Sequence, residues 1–312
     1  MNAIIIEAYG SEEQLKLVEL SKPNIEPGEV LVAVKATSVN PIDWKARQGM
    51  LQPVYNWNFP IVLGWDLSGV IVEIGSKVTM FTVGQKVFAR PDNYMDGTKG
   101  TYAEYAAVKE NQLALKPENI SFDEAAAIPL AGLTAYQVIK EQLKLTPKSK
   151  VLIQGGSGGV GTFAIQIAKY LGAYVAVTSS SDNEKMLKDL GADEVIDYHT
   201  TNLVDYPHDF DAVFDTVNAV DEGISVLKPE GKLITIAGNP SEKQLSHSQS
   251  VSMWWLKPNG KQLNELSKLV TLGAVKAVVD STVDLSTDGI RKAHKKSENG
   301  HAHGKIVIHV AD

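Results

Sequence analysis

Residues 150–161, Lys-Val-Leu-Ile-Gln-Gly-Gly-Ser-Gly-Gly-Val-Gly, run from a short apolar stretch into five glycines and then into a helical pattern. Gly156, Gly158 and Gly161 stand at G-x-G-x-x-G spacing, and the chemistry this serves is the binding of a dinucleotide pyrophosphate. The first glycine lets the chain turn sharply, the second lets backbone N–H groups approach phosphate, and the third lets the helix pack on the strand. Gly155, Ser157, Gly159 and Val160 complete the turn, and the helix expected over 162–171 presents free N–H donors and a partial positive charge. The competing reading is a glycine-rich turn that binds nothing.

Downstream pattern weighs against that alternative. Residues 174–178 read as a second strand, 183–190 as a helix and 194–198 as a third strand, the βαβαβ half of a doubly wound sheet. Sites for NAD place an Asp or Glu at the end of the second strand to bond the ribose 2′-OH. Here that place holds Thr178-Ser-Ser-Ser181. A carboxylate repels a 2′-phosphate, whereas the hydroxyls of Ser179 and Ser180 and a nearby cation welcome one, so NADPH is the expected cofactor. Asp182 is one residue out of register for the opposite choice.

The elements that must position this turn follow from periodicity. Short strands at 3–8, 15–19, 29–39, 67–74, 86–89 and 103–108, separated by turn residues, suggest an all-β, barrel-like unit. Composition changes near residue 120, where Ser121 reads as a helix N-cap with Glu124 three residues on. Helices are expected over 123–128 and 133–142, strands four and five over 212–217 and 232–237 with 227–231 as the connecting turn, and a sixth strand over 250–256. An amphipathic helix over 260–272 carries Leu263, Leu266, Leu269 and Val270 on one face. The tail from Val275 reads as strand, helix, strand. Its last strand, 305–309, has no place in a six-stranded sheet and is assigned back to the N-terminal unit. The expected division is 1–122, 123–274 and a returning 275–312.

The chain has 312 residues and 44% hydrophobic content, enough for two sizeable cores. A net charge of −7 without a basic run argues against a nucleic-acid partner. The absence of cysteine removes disulfides and thiolate metal sites. No apolar run reaches the roughly 18 residues of a membrane span, and the apolar stretch at residues 3–6 is short for a signal peptide, so a cytoplasmic location is expected.

In order and spacing, Glu26-Pro-Gly-Glu-Val-Leu-Val32, Asn40-Pro-Ile-Asp-Trp-Lys45 with Arg47 and Gly49, Leu63-Gly-Trp-Asp-Leu-Ser-Gly69, Gly84-Gln-Lys-Val87, Gly132-Leu-Thr-Ala-Tyr136, the glycine turn, Leu190-Gly-Ala-Asp193 and Gly304-Lys-Ile-Val307 carry a resemblance. The chain resembles the medium-chain dehydrogenase/reductase superfamily, within it the zinc-lacking quinone oxidoreductases similar to zeta-crystallin. The resemblance implies a GroES-like β-barrel domain closed by the C-terminal tail, a six-stranded parallel Rossmann domain, an active site in the cleft between them, and a homodimer. Zinc-dependent members hold their metal with a Cys where this chain has Asn40 and a Gly-His-Glu motif where it has Gly64-Trp65-Asp66. A Trp does not ligate zinc. The His301-Ala-His303 pair reads as a solvated turn rather than a metal site.

By the same resemblance Lys185 and Tyr198 match contacts to the 2′-phosphate, Thr134 lies near the nicotinamide, and Gly238 and Lys305 match further cofactor contacts. The catalytic candidates lie in the loop over 40–45. Asn40 stands where the metal ligand stood and is a hydrogen-bond partner for the nicotinamide ribose or substrate; Lys45 is placed to polarise a carbonyl, a charged donor substituting for a Lewis acid. Asp43 is either catalytic or a fixer of the loop through backbone N–H groups. Tyr55, Trp57 and Phe59 form either an apolar wall for a flat substrate or a packed loop. The implied reaction is hydride transfer from NADPH to a quinone or an α,β-unsaturated carbonyl compound; the alternatives are an enoyl-thioester reductase and a non-catalytic NADPH-binding protein.

Overall fold

The computed structural model describes residues 1–92, 97–300 and 302–312; His301 lies outside the described residues. The chain divides into two compact units, Met1–Leu133 with Pro258–Leu272 and Ala277–Asp312, and Thr134–Lys257 with Gly273–Lys276.

In chain order the first unit holds β1 (Asn2–Ile6), β2 (Lys16–Glu19), β3 (Glu29–Val39), α1 (Pro41–Arg47), β4 (Ile61–Val62), β5 (Leu67–Ile74), β6 (Lys86–Ala89), β7 (Tyr105–Lys109), β8 (Leu113–Leu115) and α2 (Phe122–Ala126). The boundary falls inside α3 (Pro129–Tyr136). The second unit holds β9 (Lys150–Gln154), α4 (Gly159–Tyr170), β10 (Tyr174–Ser179), α5 (Glu184–Asp189), β11 (Glu194–Asp197), β12 (Phe210–Asp215), α6 (Val220–Ser225), β13 (Leu227–Thr235), α7 (Glu242–Leu245) and β14 (Ser250–Met253). The chain returns to the first unit with α8 (Gly260–Thr271), β15 (Val279–Asp284), α9 (Thr287–Glu298) and β16 (Lys305–His309).

β3 organises the first unit. One edge pairs antiparallel with β5, and the other is shared, its first half by β7 (Glu29 opposite Lys109) and its second by β16 (Val39 opposite Ile306). Val30, Val32 and Val34 recur every second residue, so they share a face and bury together with Leu67, Ile71 and Val87. Ile306 and Ile308 of the returning strand join a separate core with Ile4, Ile6 and Ile290. The last strand therefore docks where the leftover pattern required.

The second unit is a parallel sheet of six described strands in the order β11-β10-β9-β12-β13-β14, which is the doubly wound 3-2-1-4-5-6 arrangement. Val151, Leu152 and Ile153 of β9 are wholly buried, as a central parallel strand covered on both faces requires.

Three local readings change. Residues 40–47 are not a loop: Pro41 at the first helical position, with its fixed φ, starts the helix α1. Residues 227–231 are not a turn, because Leu227 already pairs with Phe210 and Lys232 with Ala212, leaving 228–231 as a bulge within β13; Pro229, with no N–H to donate, sits where the ladder is interrupted. α8 lies in the first unit, where Ser267 Oγ donates to Leu115 O at 3.0 Å and Asn119 Nδ2 to Val270 O at 3.3 Å. No helix among the described residues is long and apolar enough to cross a membrane.

The cap read at Ser121 closes as a reciprocal pair: Ser121 Oγ accepts from Glu124 N at 3.1 Å and Glu124 Oε2 from Ser121 N at 2.8 Å. It starts α2, whose Phe122 and Ala126 pack with Ala36 and Val307. Ser121→Ala should cost about 1 kcal/mol of stability, read as a lower urea midpoint, while Ser121→Asp should recover most of it.

Candidate functional site

Two groups of side chains and backbone carry the chemistry, one in each unit. In the first, strand register sets the placement. Pairing of Val39 with Ile306 puts Lys305 beside Asn40, and pairing of Ala36 with Ser68 puts Asp66 beside Ser38. Residues from three strand ends thereby meet in one buried row. Asp66 Oδ2 accepts from Ser38 Oγ and from Asn40 Nδ2, both at 2.7 Å, while Oδ1 accepts from Leu130 N at 2.6 Å. The Lys305 ammonium donates to Val39 O at 3.0 Å, to Asn40 Oδ1, and to Asp66 Oδ2 at 3.3 Å.

Asn40 is 2% exposed and Asp43 wholly buried. The Asn40 carboxamide thus faces the ion pair rather than solvent. Asp43 Oδ2 accepts from Asn40 N at 2.6 Å, at the start of the helix. Burial pushes the Asp43 carboxyl up to about 7 against the pull of that N–H and of Lys305. Lys305 is itself lowered by burial, opposed by Asp66.

Behind Asp43 the polar chain continues. Arg47 Nη1 lies 3.4 Å from His294 Nδ1, and His294 Nε2 lies 3.3 Å from the Tyr102 hydroxyl. A guanidinium only donates, so Nδ1 accepts and the network assigns the imidazole proton to Nε2. Arg47 also donates to Gly10 O at 3.1 Å and to Glu298 Oε2 at 2.9 Å. Burial and the Arg47 charge push His294 down to about 3, and burial holds the Tyr102 hydroxyl well above its ordinary range.

Lys45 differs from all of these. It sits in the last turn of α1, half-buried, its Nζ 5.6 Å from the Trp44 ring centroid. Among the described residues its ammonium has no hydrogen-bond or ion-pair partner. Tyr55 and Trp57 stack at 5.3 Å and 5°, and Tyr9 meets Phe59 edge-on at 4.8 Å. Trp57 is 7% exposed and Phe59 39%, so the wall read from sequence is partly core.

The second unit presents the glycine turn. Gly155 has φ 80°, and a Cβ there would meet Thr216 Oγ1 at 2.6 Å. A Cβ at Gly156 would lie 2.8 Å from Val177 Cβ, and one at Gly161 2.3 Å from Gly155 O. At Gly158 a Cβ would make only ordinary van der Waals contact, with Gly155 O at 3.5 Å. The first N–H groups of α4, those of Gly159, Val160 and Gly161 among them, have no intrahelical partner, and Gly158 at the N-cap supplies no side chain to cap them. With Ser157 in the same partly open turn, this cradle fits a pyrophosphate.

At the end of β10 both Ser179 Oγ and Ser180 Oγ accept from Asn183 Nδ2 at 3.0 Å. Lys185 is exposed and paired with Asp189 at 2.7 Å; Tyr198 is 59% exposed with its ring 4.3 Å from that of His199. Thr134 is 5% exposed. Gly238 follows β13, where a Cβ would come 2.9 Å from Asn218 Oδ1. Lys305, linked to the cofactor by resemblance, spends its three donors inside the first unit.

The sequence reading assigned no role to Asp66, Tyr102, His294 or Asp215. Asp215 accepts from Val217 N and Ala219 N at 3.0 Å and from Thr235 Oγ1 at 2.6 Å, which shapes the turn bordering Gly155. An acidic residue ending an apolar strand is its only local signal.

The His294 environment sets a pH dependence. The unfolded chain binds a proton at this imidazole below about 6.5 and the folded chain only near 3, so its contribution to stability is present above pH 6.5 and is lost as pH falls. Between those values the stability gap between wild type and His294→Asn should narrow on acidification by at most about 1.4 kcal/mol per pH unit, measured by urea unfolding; parallel curves would contradict the assignment.

Residues 26–118 match the alcohol dehydrogenase GroES-like domain and 190–308 the family described as zinc-binding dehydrogenase. The chain is 37% identical to the 2-methylene-furan-3-one reductase of Solanum lycopersicum, covering 96% of this chain and 77% of that protein. It is 34% identical to the NADPH-dependent alkenal/one oxidoreductase of Arabidopsis thaliana, covering 99% and 79%. The structure of the quinone oxidoreductase from Coxiella burnetii superposes with a TM-score of 0.91 at 33% identity, covering 99% of both chains. A GroES-like unit followed by a 3-2-1-4-5-6 parallel sheet, with these relatives matching 96–99% of its length, places the chain in the quinone oxidoreductase branch of the medium-chain dehydrogenase/reductase superfamily.

Proposed function

We propose that the protein is a cytoplasmic, homodimeric, NADPH-dependent reductase of quinones and α,β-unsaturated carbonyl compounds that works without zinc. The observation that carries the reading is the Lys45 ammonium, without a hydrogen-bond or ion-pair partner among the described residues, on a short helix whose N-cap residue, Asn40, is fixed by a buried ion pair. The names of the relatives support the reaction class, and the family resemblance supports the dimer.

Gly155, Gly156, Ser157, Gly158, Gly159, Val160 and Gly161 would hold the pyrophosphate of NADPH. Ser179, Ser180, Lys185 and Tyr198 would receive its 2′-phosphate, the surface pair Lys185–Asp189 opening to do so. When bound, NADPH supplies the hydride. Lys45 donates to the carbonyl oxygen of the acceptor and stabilises the enolate or hydroquinone anion as it forms. Tyr55 and Phe59 give a flat acceptor an apolar face. Asn40 and Asp43 act behind Lys45 as positioning residues rather than at the reacting atoms. Asn40, Trp65 and Asp66 offer neither the thiolate nor the imidazole of a zinc site, and a lysine cation already lies between Asn40 and Asp66.

Lys45→Met should lower kcat on enones and quinones by roughly 10²-fold, with the Kd for NADPH nearly unchanged. Unaltered turnover would remove Lys45 from the mechanism. Kinetics with both cofactors should give a higher kcat/KM with NADPH than with NADH.

A further inference from the structure

The environment of Lys305 is a complete coordination shell. Its three N–H donors meet three oxygens, Val39 O, Asn40 Oδ1 and Asp66 Oδ2, and the residue is 3% exposed. Asp66 Oδ2 takes two further donors, Ser38 Oγ and Asn40 Nδ2. The Asn40 carboxamide therefore lies with its oxygen on the cation and its NH2 on the anion. Flipping it would put an NH2 against an ammonium and an oxygen against a carboxylate, so the ion pair fixes its orientation. Asn40 is the residue from which α1 starts, and its own N–H is held by Asp43. A cation from the last strand thus sets the N-cap residue of the helix that carries Lys45.

We propose that the oxygens of Val39, Asn40 and Asp66 form a seat for a monovalent cation, filled by the Lys305 ammonium, and that Lys305 acts through this seat as a positioning residue for Lys45. The link to turnover rests on the function proposed above; the seat itself does not. If the side chain is shortened, the same oxygens are left around a space of ammonium size with one uncompensated carboxylate, Asp66. Small ammonium ions that donate N–H groups should enter it. A quaternary ammonium has no N–H and is too large.

The test is chemical rescue of Lys305→Ala. Melting temperature, NADPH Kd, and kcat and KM per folded molecule are measured in ammonium, methylammonium and tetramethylammonium chloride at equal ionic strength. The expected result is a kcat lowered on the order of 10²-fold, a nearly unchanged NADPH Kd, and partial recovery of kcat and of melting temperature in ammonium or methylammonium only. A kcat equal to wild type, or salts that act alike, overturns the proposal. Should the single variant fail to fold, Lys305→Met with Asp66→Asn leaves no buried orphan charge and is read the same way: its kcat should be low and indifferent to ammonium, and wild-type turnover overturns the positioning role. If the wild type reduces no acceptor, the reductase reading fails, while the ammonium-specific rise in melting temperature of Lys305→Ala still decides the seat.

Discussion

A buried charge must be answered within the fold, since leaving water costs each ion several kcal/mol. In the first unit this rule governs the Lys305 ammonium and the Asp66 carboxylate, which answer each other through the amide of Asn40. The arrangement needs β16, β3 and β5 in one register, because a slip of one residue would turn every side chain of a strand to the opposite face. The double role of one β3 edge, taken first by β7 and then by β16, leaves room for Lys305 beside Asn40.

From that pair the polar groups extend in one direction. Asp43, Tyr102, His294, Arg47 and Glu298 link the start of α1 to α9 and the surface. Only Arg47 and Glu298 in this line form an ion pair; burial pushes the His294 imidazole down and the Asp43 carboxyl up, each toward its neutral form. α1 is thereby held by hydrogen bonds at its N-cap, Asn40, and by an ion pair at its last residue, Arg47, with Lys45 between them. The second unit solves a different problem with backbone alone. Glycines at 156 and 161 allow close packing, and Gly158 at the N-cap leaves the first helix N–H groups without a side-chain cap.

What was legible in the sequence was what is local. The buried strand 151–153, the glycine turn, the Ser121–Glu124 cap and the orphan last strand each declare themselves within about a dozen residues. The meeting of Lys305 with Asp66 spans 239 residues, His294 with Tyr102 192, and Arg47 with His294 247, so no window holds both partners. Asn40 and Lys45 stood out together, yet their opposite fates, one enclosed and one available, depend on strands far away in sequence. The helix over 41–47 is hidden in sequence because seven residues give too few turns for a periodic signal, and Pro41 alone marks its start. The bulge at 228–231 looks like a turn in sequence because its Pro and Gly serve both.

The central claim is that cations belonging to the chain, Lys305 behind and Lys45 in front, do the electrostatic work that zinc does in metal-dependent members. The most direct measurement is enone and quinone reduction by NADPH after exhaustive chelation, with metal content determined on the same sample. Full activity at negligible zinc is the predicted result. Activity that is lost on chelation and restored by zinc would contradict it.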